Sequence, residues 1–267
     1  MFHSRRKIGL ALGSGGARGL AHVGVLQCLV NHKIPIDYIA GTSAGALIGG
    51  MYAVHQDISR VRKVWDDFGY KDFFSLLTDF GTRKGILKGN KAEEFINSII
   101  NGPVNIEDLQ VPFQAVATDI FTAEVFRFSR GDLAKSIRAS GSLPFVVEPC
   151  DYEGKLLVDG GASEPVPVNT VKKMGADIVI AVNLDSSFFP EHGKEMSRGK
   201  VNVVNVLQTT VHLFRYHLAE CNVKEASIVI KPQLQDMHLI QFVNGDSIIE
   251  EGIRRTEAVI GDIKALL

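Results

Sequence analysis

A glycine-flanked serine, Gly41-Thr42-Ser43-Ala44-Gly45, stands between an apolar β-rich run, Ile36 to Ala40, and an apolar helical run, Ala46 to Val54. In that setting Gly-x-Ser-x-Gly is the pattern of a nucleophile elbow, a turn so sharp that its flanks must lack bulky side chains. The turn lifts the serine oxygen to a helix N-terminus, where the positive end of the dipole favours an alkoxide. The chemistry would be acyl transfer through Ser43. Outside that context the same five residues are only a glycine-rich turn with an inert serine.

A serine hydroxyl needs a neighbouring base. The chain has eight histidines, at positions 3, 22, 32, 55, 192, 212, 217 and 238, none at a strand end beside glycines. Asp159 does have that context: it follows the short apolar run Leu156 to Val158 and precedes Gly160 and Gly161, which leave its carboxylate approachable. Sites in open α/β sheets gather at strand ends. Taken alone, Asp159-Gly160-Gly161 is equally a plain turn.

A third glycine segment, Gly13-Ser14-Gly15-Gly16-Ala17-Arg18-Gly19, joins a strand to a helix. It does not fit the dinucleotide fingerprint: G-x-G-x-x-G begun at Gly13 puts Arg18 at the last glycine, and a phosphate-binding lysine is missing as well. What it offers is bare backbone N–H groups at a helix start, the requirement of an oxyanion hole. Arg18 adds a positive charge, unless it is simply an arginine on a helix surface.

In this order the three segments resemble the patatin-like phospholipase family, particularly its small bacterial members. The resemblance takes in Leu20-Ala21-His22-Val23-Gly24-Val25-Leu26, Arg138-Ala139-Ser140 with Pro144, and Pro165-Val166-Pro167-Val168 through Gly175-Ala176-Asp177. It covers residues 8–184; beyond, it is general. The resemblance implies an α/β fold, a three-layer α/β/α sandwich with a mainly parallel central sheet, and a Ser-Asp dyad without histidine. Ser43 would be the nucleophile and Asp159 the base. The backbone amides of Gly15 and Gly16 would form the oxyanion hole with Arg18 supporting that loop, and no cofactor and no metal would be used. The expected reaction is cleavage of a lipid carboxylic ester, phospholipid or lysophospholipid, through an acyl-enzyme. Ser14 stands where the family commonly has another glycine, which is tolerable if its φ is negative.

The elements that must position these residues read as alternating strands and helices, the mark of a parallel sheet. Strands are expected at Lys7 to Leu12, Ile36 to Ala40, Val111 to Thr118, Glu124 to Phe128, Leu156 to Val158, Ile178 to Leu184 and Ile228 to Ile230. Helices are expected at Ala17 to Val30, Ala46 to Val54, Ile58 to Phe68, Lys91 to Ile100, Leu133 to Ala139, Val168 to Met174, Val201 to Ala219 and Ile248 to Leu267, with a loop from Asp185 to Lys200. No repeat or linker divides the chain, so residues 1–267 are expected to form one domain, with a helical C-terminal portion at 201–267.

Composition is close to the average of soluble globular proteins, with ample material for one buried core: 45% of the 267 residues are hydrophobic and 22% charged. The 29 Lys and Arg against 30 Asp and Glu are mixed along the chain, which speaks against nucleic acid as a partner. Cys28, Cys150 and Cys221 show no C-x-x-C pair and no histidine at metal-ligand spacing, so they are expected to be reduced, buried thiols of a cytosolic protein. The apolar run after Arg5, Arg6 and Lys7 is too short for a secretory h-region, and no segment is long enough to span a bilayer. The expected location is cytoplasmic, with transient contact at a membrane surface.

Trp65, Phe68, Tyr70, Phe73, Phe74, Leu76, Leu77 and Phe80, followed by Arg83, Lys84 and Lys88, are open to three uses: a lipid-facing lip, a mobile cover, or core packing. The loop Ser140 to Val147 is a second candidate for pocket lining. Two rival functions remain at this level. One is a triad esterase or thioesterase with His192, His212, His217 or His238 as base; the other is a non-catalytic lipid-binding protein.

Overall fold

The computed structural model describes residues 5–69, 85–186, 203–234 and 245–267, with 75, 78, 79 and 81 between the first two segments. An eight-stranded sheet forms its centre: β1 (Ile8–Leu12), β2 (Tyr38–Thr42), β3 (Phe113–Asp119), β4 (Val125–Phe128), β5 (Cys150–Tyr152), β6 (Lys155–Asp159), β7 (Ile178–Val182) and β8 (Ile228–Ile230). β1 pairs in parallel with β2 and β7, β2 with β3, and β7 with β8. β4 and β6 run antiparallel to β3, and β5 antiparallel to β6.

The inner strands are apolar on both faces because helices cover both, as parallel sheets require. Ile8, Leu10, Leu12, Ile178, Ile180 and Val182 point into the larger core, with α1 (Ala21–Asn31), α2 (Ala44–His55), α3 (Ile58–Asp67), α4 (Asn90–Ile99) and α5 (Leu133–Ser140). The alternate residues Ala11, Val179 and Ala181 face a smaller core formed with α6 (Val168–Met174) and α7 (Val203–Asn222). Helix α8 (Asp246–Glu257) also packs on the larger core, through Ile248 and Ile249, and α9 (Ile260–Ala265) through Ile263. Each fully buried Leu or Ile contributes about 1.5–3 kcal/mol, and truncating Leu10 to Ala would cost about 2–5 kcal/mol. The result is the expected three-layer arrangement.

One register decides where the chemistry sits. Ala115 to Thr118 of β3 carry β4 along one side, so β2 and β6 share the other. β2 ends with Thr42 opposite Val116, and β6, running the opposite way, ends with Asp159 opposite Ala117. The two strands therefore meet end to end, and the residue after Thr42 is Ser43.

Three expectations are corrected. The hairpin strand β5 is additional; Glu153 and Gly154, both with positive φ, turn it into β6. The C-terminal helix is two helices, broken around Ala258 and Val259. The segment Gly16–Leu20 is a 3-10 turn before α1 begins at Ala21 rather than at Ala17. The expected loop 185–200 lies outside the described residues from 187 onward.

Candidate active site

Ser43 occupies the junction of β2 and α2 with φ 55° and ψ −119°, a left-handed φ that costs a non-glycine residue of order 1–3 kcal/mol and persists only where neighbours enforce it. The enforcement is steric and polar. A Cβ at Gly41 would collide with the Gly45 carbonyl and the backbone of Ala46, and one at Gly45 with the Leu12 carbonyl, so the elbow packs directly on β1. The Ser43 N–H donates to Ser140 Oγ at 2.8 Å. Ser43 O then accepts from Ala46 and Leu47, opening α2 with the serine as its N-cap.

Asp159 ends β6 with only 4% of its surface exposed. The Gly161 N–H donates to its Oδ1 at 2.7 Å, and the Ser43 hydroxyl stands close enough to its carboxylate to favour the ionised form. Its backbone is pinned as well, N–H to Ser142 O at 2.9 Å and C=O to Thr118 Oγ1 at 3.2 Å. Burial pushes the Asp159 carboxyl above the ordinary carboxylate range, against the Arg215 charge, the Ser43 hydroxyl and the Gly161 N–H, which pull it down. Such a carboxylate is a better base than one in water.

The glycine loop faces this pair. The N–H groups of Gly13 and Ser14 are taken by Val182 O and Pro165 O, at 3.1 and 2.8 Å. The next two, of Gly15 and Gly16, donate to no backbone acceptor among the described residues. Gly16 has φ +56°, which suits glycine; Ser14 has no left-handed backbone, so the substitution at that position is accommodated. His22 Nε2–H donates to Gly13 O at 2.8 Å, and burial keeps that imidazole neutral, its pKa pushed down to about 4. Arg18 curls back to Gly15 O at 3.4 Å, reaches Leu184 O at 2.8 Å and pairs with Asp185 at 2.9 Å.

Asp185 and Arg215 escaped the sequence reading. Asp185 follows β7 and accepts from Arg18, from Ser14 Oγ at 3.4 Å and from Arg215 of α7 at 2.6 and 3.3 Å. Signals existed: Asp185 stands just past the carboxyl end of a parallel strand, and Arg215 is the one Lys, Arg, Asp or Glu between Val203 and Ala219.

The fold brings Ser43, Asp159, Gly15, Gly16, Arg18, Gly41, Gly45, Gly160 and Gly161 to one end of the sheet. A family model for patatin-like phospholipases matches residues 10–172. The chain belongs to that family. Over 191 residues it is 39% identical to an NTE family protein of Mycobacterium tuberculosis, spanning 69% of this chain and 51% of that one. It is 30% identical over 285 residues to "Lysophospholipase NTE1" of Scheffersomyces stipitis, spanning 94% of this chain and 18% of that one. The chain thus corresponds to about half, or less, of the length of these relatives. Among solved structures, VipD from Legionella pneumophila superposes with a TM-score of 0.62 at 13% identity, over 97% of this chain and 67% of that one, a likeness of fold.

Of the patatin-like chain's histidines proposed as rival bases, His192 and His238 lie outside the described residues. His217 is on the exposed side of α7. His212 lies near Arg215, Arg18 and Asp185, and burial followed by the two arginine charges pushes it down to about 4. Of the aromatic segment, Trp65 and Phe68 are core residues, Trp65 tilted against Phe68 and Phe68 edge-on to Phe95, each pair at a centroid distance of 5.5 Å; Tyr70, Phe73, Phe74, Leu76, Leu77 and Phe80 lie outside the described residues.

The cysteines depart from expectation. Cys28 and Cys150 are buried but Cys221 is exposed. Against the expectation that no histidine stands at ligand spacing from a cysteine, Cys28 on α1 and His32, four residues on and just past the end of that helix, converge with Glu257 so that one ligand atom of each lies within 4.8 Å of the others. His32 Nε2–H donates to Glu257 at 2.8 Å, and Lys264 Nζ to His32 Nδ1 at 3.2 Å, a polar clasp between α1, α8 and α9.

Proposed function

We propose that this protein is a serine acyl hydrolase that cleaves lipid carboxylic esters, phospholipid or lysophospholipid, with Ser43 as nucleophile and Asp159 as base. The observation carrying this reading is the meeting of the β2 and β6 ends on β3, which sets the Ser43 hydroxyl, held on a strained elbow, beside a buried carboxylate with raised proton affinity. Asp159 takes the hydroxyl proton as Ser43 Oγ attacks the ester carbonyl. The carbonyl oxygen gains the negative charge and meets the Gly15 and Gly16 N–H groups at a helix start, the arrangement that stabilises a tetrahedral intermediate. Asp159 then gives its proton to the leaving alcohol. Water repeats the cycle on the acyl-enzyme, releasing fatty acid.

The family membership supports lipid as the substrate class. In this reading the whole chain, 1–267, works as one unit, since β8 extends the same sheet through β7 and α7 brings Arg215 to the site. Transient contact of a cytoplasmic protein with a membrane surface is part of the proposal. Four consecutive exposed apolar residues, Leu143-Pro144-Phe145-Val146, support it; they follow Ser142, whose carbonyl holds Asp159. Among the described residues no helix is long and apolar enough to cross a membrane.

The test is release of fatty acid from phospholipids, lysophospholipids and short nitrophenyl esters by the native protein, Ser43→Ala and Asp159→Asn, together with labelling by a fluorophosphonate. Both variants are expected to be inactive and only Ser43→Ala to lose the label entirely. Near-native activity in Asp159→Asn would overturn the dyad, and an unlabelled, inactive native protein would favour the lipid-binding reading.

A further inference from the structure

Two guanidinium groups share one buried carboxylate beside the candidate dyad. Arg215 donates through Nη2 and Nε to the two oxygens of Asp185, the forked geometry that fixes both partners, and Arg18 Nη2 shares Oδ1. The side chains are 13% exposed for Arg215, 11% for Arg18 and 3% for Asp185. Asp185 cancels only one of the two positive charges. A buried net charge is costly unless another group answers it, and the group in place to do so is Asp159. The Arg215 Cδ lies 3.4 Å from where a Cβ on Gly161 would stand, and Gly161 is the residue whose N–H binds Asp159. Among the described residues, two cations and two anions thus make a neutral buried set.

We propose that Arg215, tethered to Asp185, is a positioning residue that keeps Asp159 a carboxylate at rest and leaves the site one positive charge in excess once Asp159 has taken the Ser43 proton. The inference rests on the assignment of Ser43 and Asp159 made above. Its chemistry balances. At rest Asp159 answers the excess charge. During attack the Ser43 proton moves to Asp159, the serine oxygen bonds to the ester carbon, and the carbonyl π pair moves to its oxygen. The negative charge has left Asp159 and reappeared on the oxyanion, so the set including the oxyanion is neutral again. One fixed cation serves both states without reorganising, the condition under which a preorganised charge lowers a barrier.

Among the described residues, the groups facing Arg215 are Asp185 after β7, Arg18 from the loop after β1, Asp159 at the end of β6, and His212 one turn earlier on α7. His212 would also respond to loss of the Arg215 charge, so the experiment is run with His212→Gln in parallel. The pH dependence of kcat/KM on a soluble nitrophenyl ester is compared for the native protein, Arg215→Gln and Arg215→Lys. Carbon NMR of labelled aspartate follows the Asp159 carboxyl directly, assigned by its loss in Asp159→Asn.

In Arg215→Gln the acid limb of the profile and the Asp159 titration are expected to move together to higher pH by about one unit or more, with a tenfold or greater loss at the plateau. Arg215→Lys, which keeps the charge without the fork, is expected to restore the limb toward its native position, and His212→Gln to leave the shift intact. An Asp159 titration that does not move in Arg215→Gln overturns the proposal, making Arg215 only a strap between α7 and the loop after β7. Should Arg215→Gln not fold, the same titration in Arg215→Lys and Asp185→Asn decides. Loss of Asp185 should lower the Asp159 titration, and no movement there overturns the proposal equally. A native protein without esterase activity would sink the assignment of Ser43 and Asp159, while the NMR titration would still read the charge coupling.

Discussion

Ser140 Oγ accepts the Ser43 N–H at 2.8 Å and donates its own proton to Val116 O at 2.6 Å. One hydroxyl therefore ties the strained elbow to β3 at the position opposite Thr42. The tie answers a buried donor that the elbow geometry leaves without a helix or strand partner. Replacing Ser140 by Ala removes it, and an unsatisfied buried N–H costs about 1–3 kcal/mol. Ser140→Ala is expected to lose about 10- to 100-fold in kcat on a soluble ester, because the Ser43 backbone relaxes toward an ordinary φ. Steady-state kinetics with a thermal melt checks this; native turnover would mean the glycine packing alone holds the elbow.

The proposed dyad also makes a stability prediction. A carboxyl whose proton affinity is raised on folding contributes stability below its ordinary pKa of about 3.9, and that contribution is lost as pH rises through the raised value. At neutral pH an ionised Asp159 is therefore a net cost to the fold. Asp159→Asn is expected to abolish hydrolysis while leaving Tm at pH 7 unchanged or higher. A clear drop in Tm would show that the carboxylate holds the loop Gly160–Ala162 structurally.

Asp185 should behave in the opposite sense. Burial alone would raise its carboxyl, but Arg215 and Arg18 overcome this and hold it below the ordinary range. Its stabilising contribution is present above the ordinary carboxylate pKa and lost as pH falls through the depressed value. Removing one partner of a buried pair costs about 3–5 kcal/mol, so Asp185→Asn should unfold at markedly lower denaturant at pH 7. The gap to the native protein should narrow toward pH 3. A gap constant with pH would assign the loss to packing.

What could be read in advance follows from how local each signal is. Ser43, Asp159 and the glycine loop were legible because each carries its own sequence context of strand, glycines and helix, and the register on β3 that joins Thr42 to Asp159 follows from the sheet order. β5 was hidden because three residues are too few for a period-2 pattern; only the Glu153-Gly154 turn announces it. Arg215 and Asp185 lie thirty residues apart, and their pairing belongs to the packing of α7 on the sheet. Cys28 and His32 had the i,i+4 spacing of one helix face, but Glu257 comes from the far end of the chain. The aromatic segment reads ambiguously because buried and surface aromatics share one pattern; Trp65 and Phe68 went to the core.

The run Leu143–Val146 carries the last prediction. Phe145 is 79% exposed with φ 71°, and Leu143 and Val146 flank it. Ile86, also exposed, precedes Leu87, which bonds Val146 O at 2.9 Å and Glu148 N at 2.8 Å. Consecutive exposed apolar residues cost solubility unless a function uses them, and a phenylalanine moved from water into lipid gains about 1.5–3 kcal/mol. Phe145→Ser is therefore expected to cut hydrolysis of phospholipid in vesicles about tenfold or more. Hydrolysis of a soluble short ester should stay within about twofold, because Phe145 makes no hydrogen bond to Ser43 or Asp159. Vesicle sedimentation should fall in step with the vesicle rate. Equal losses on both substrates, with sedimentation unchanged, would make Phe145 a wall of the acyl pocket instead of a contact with the lipid surface.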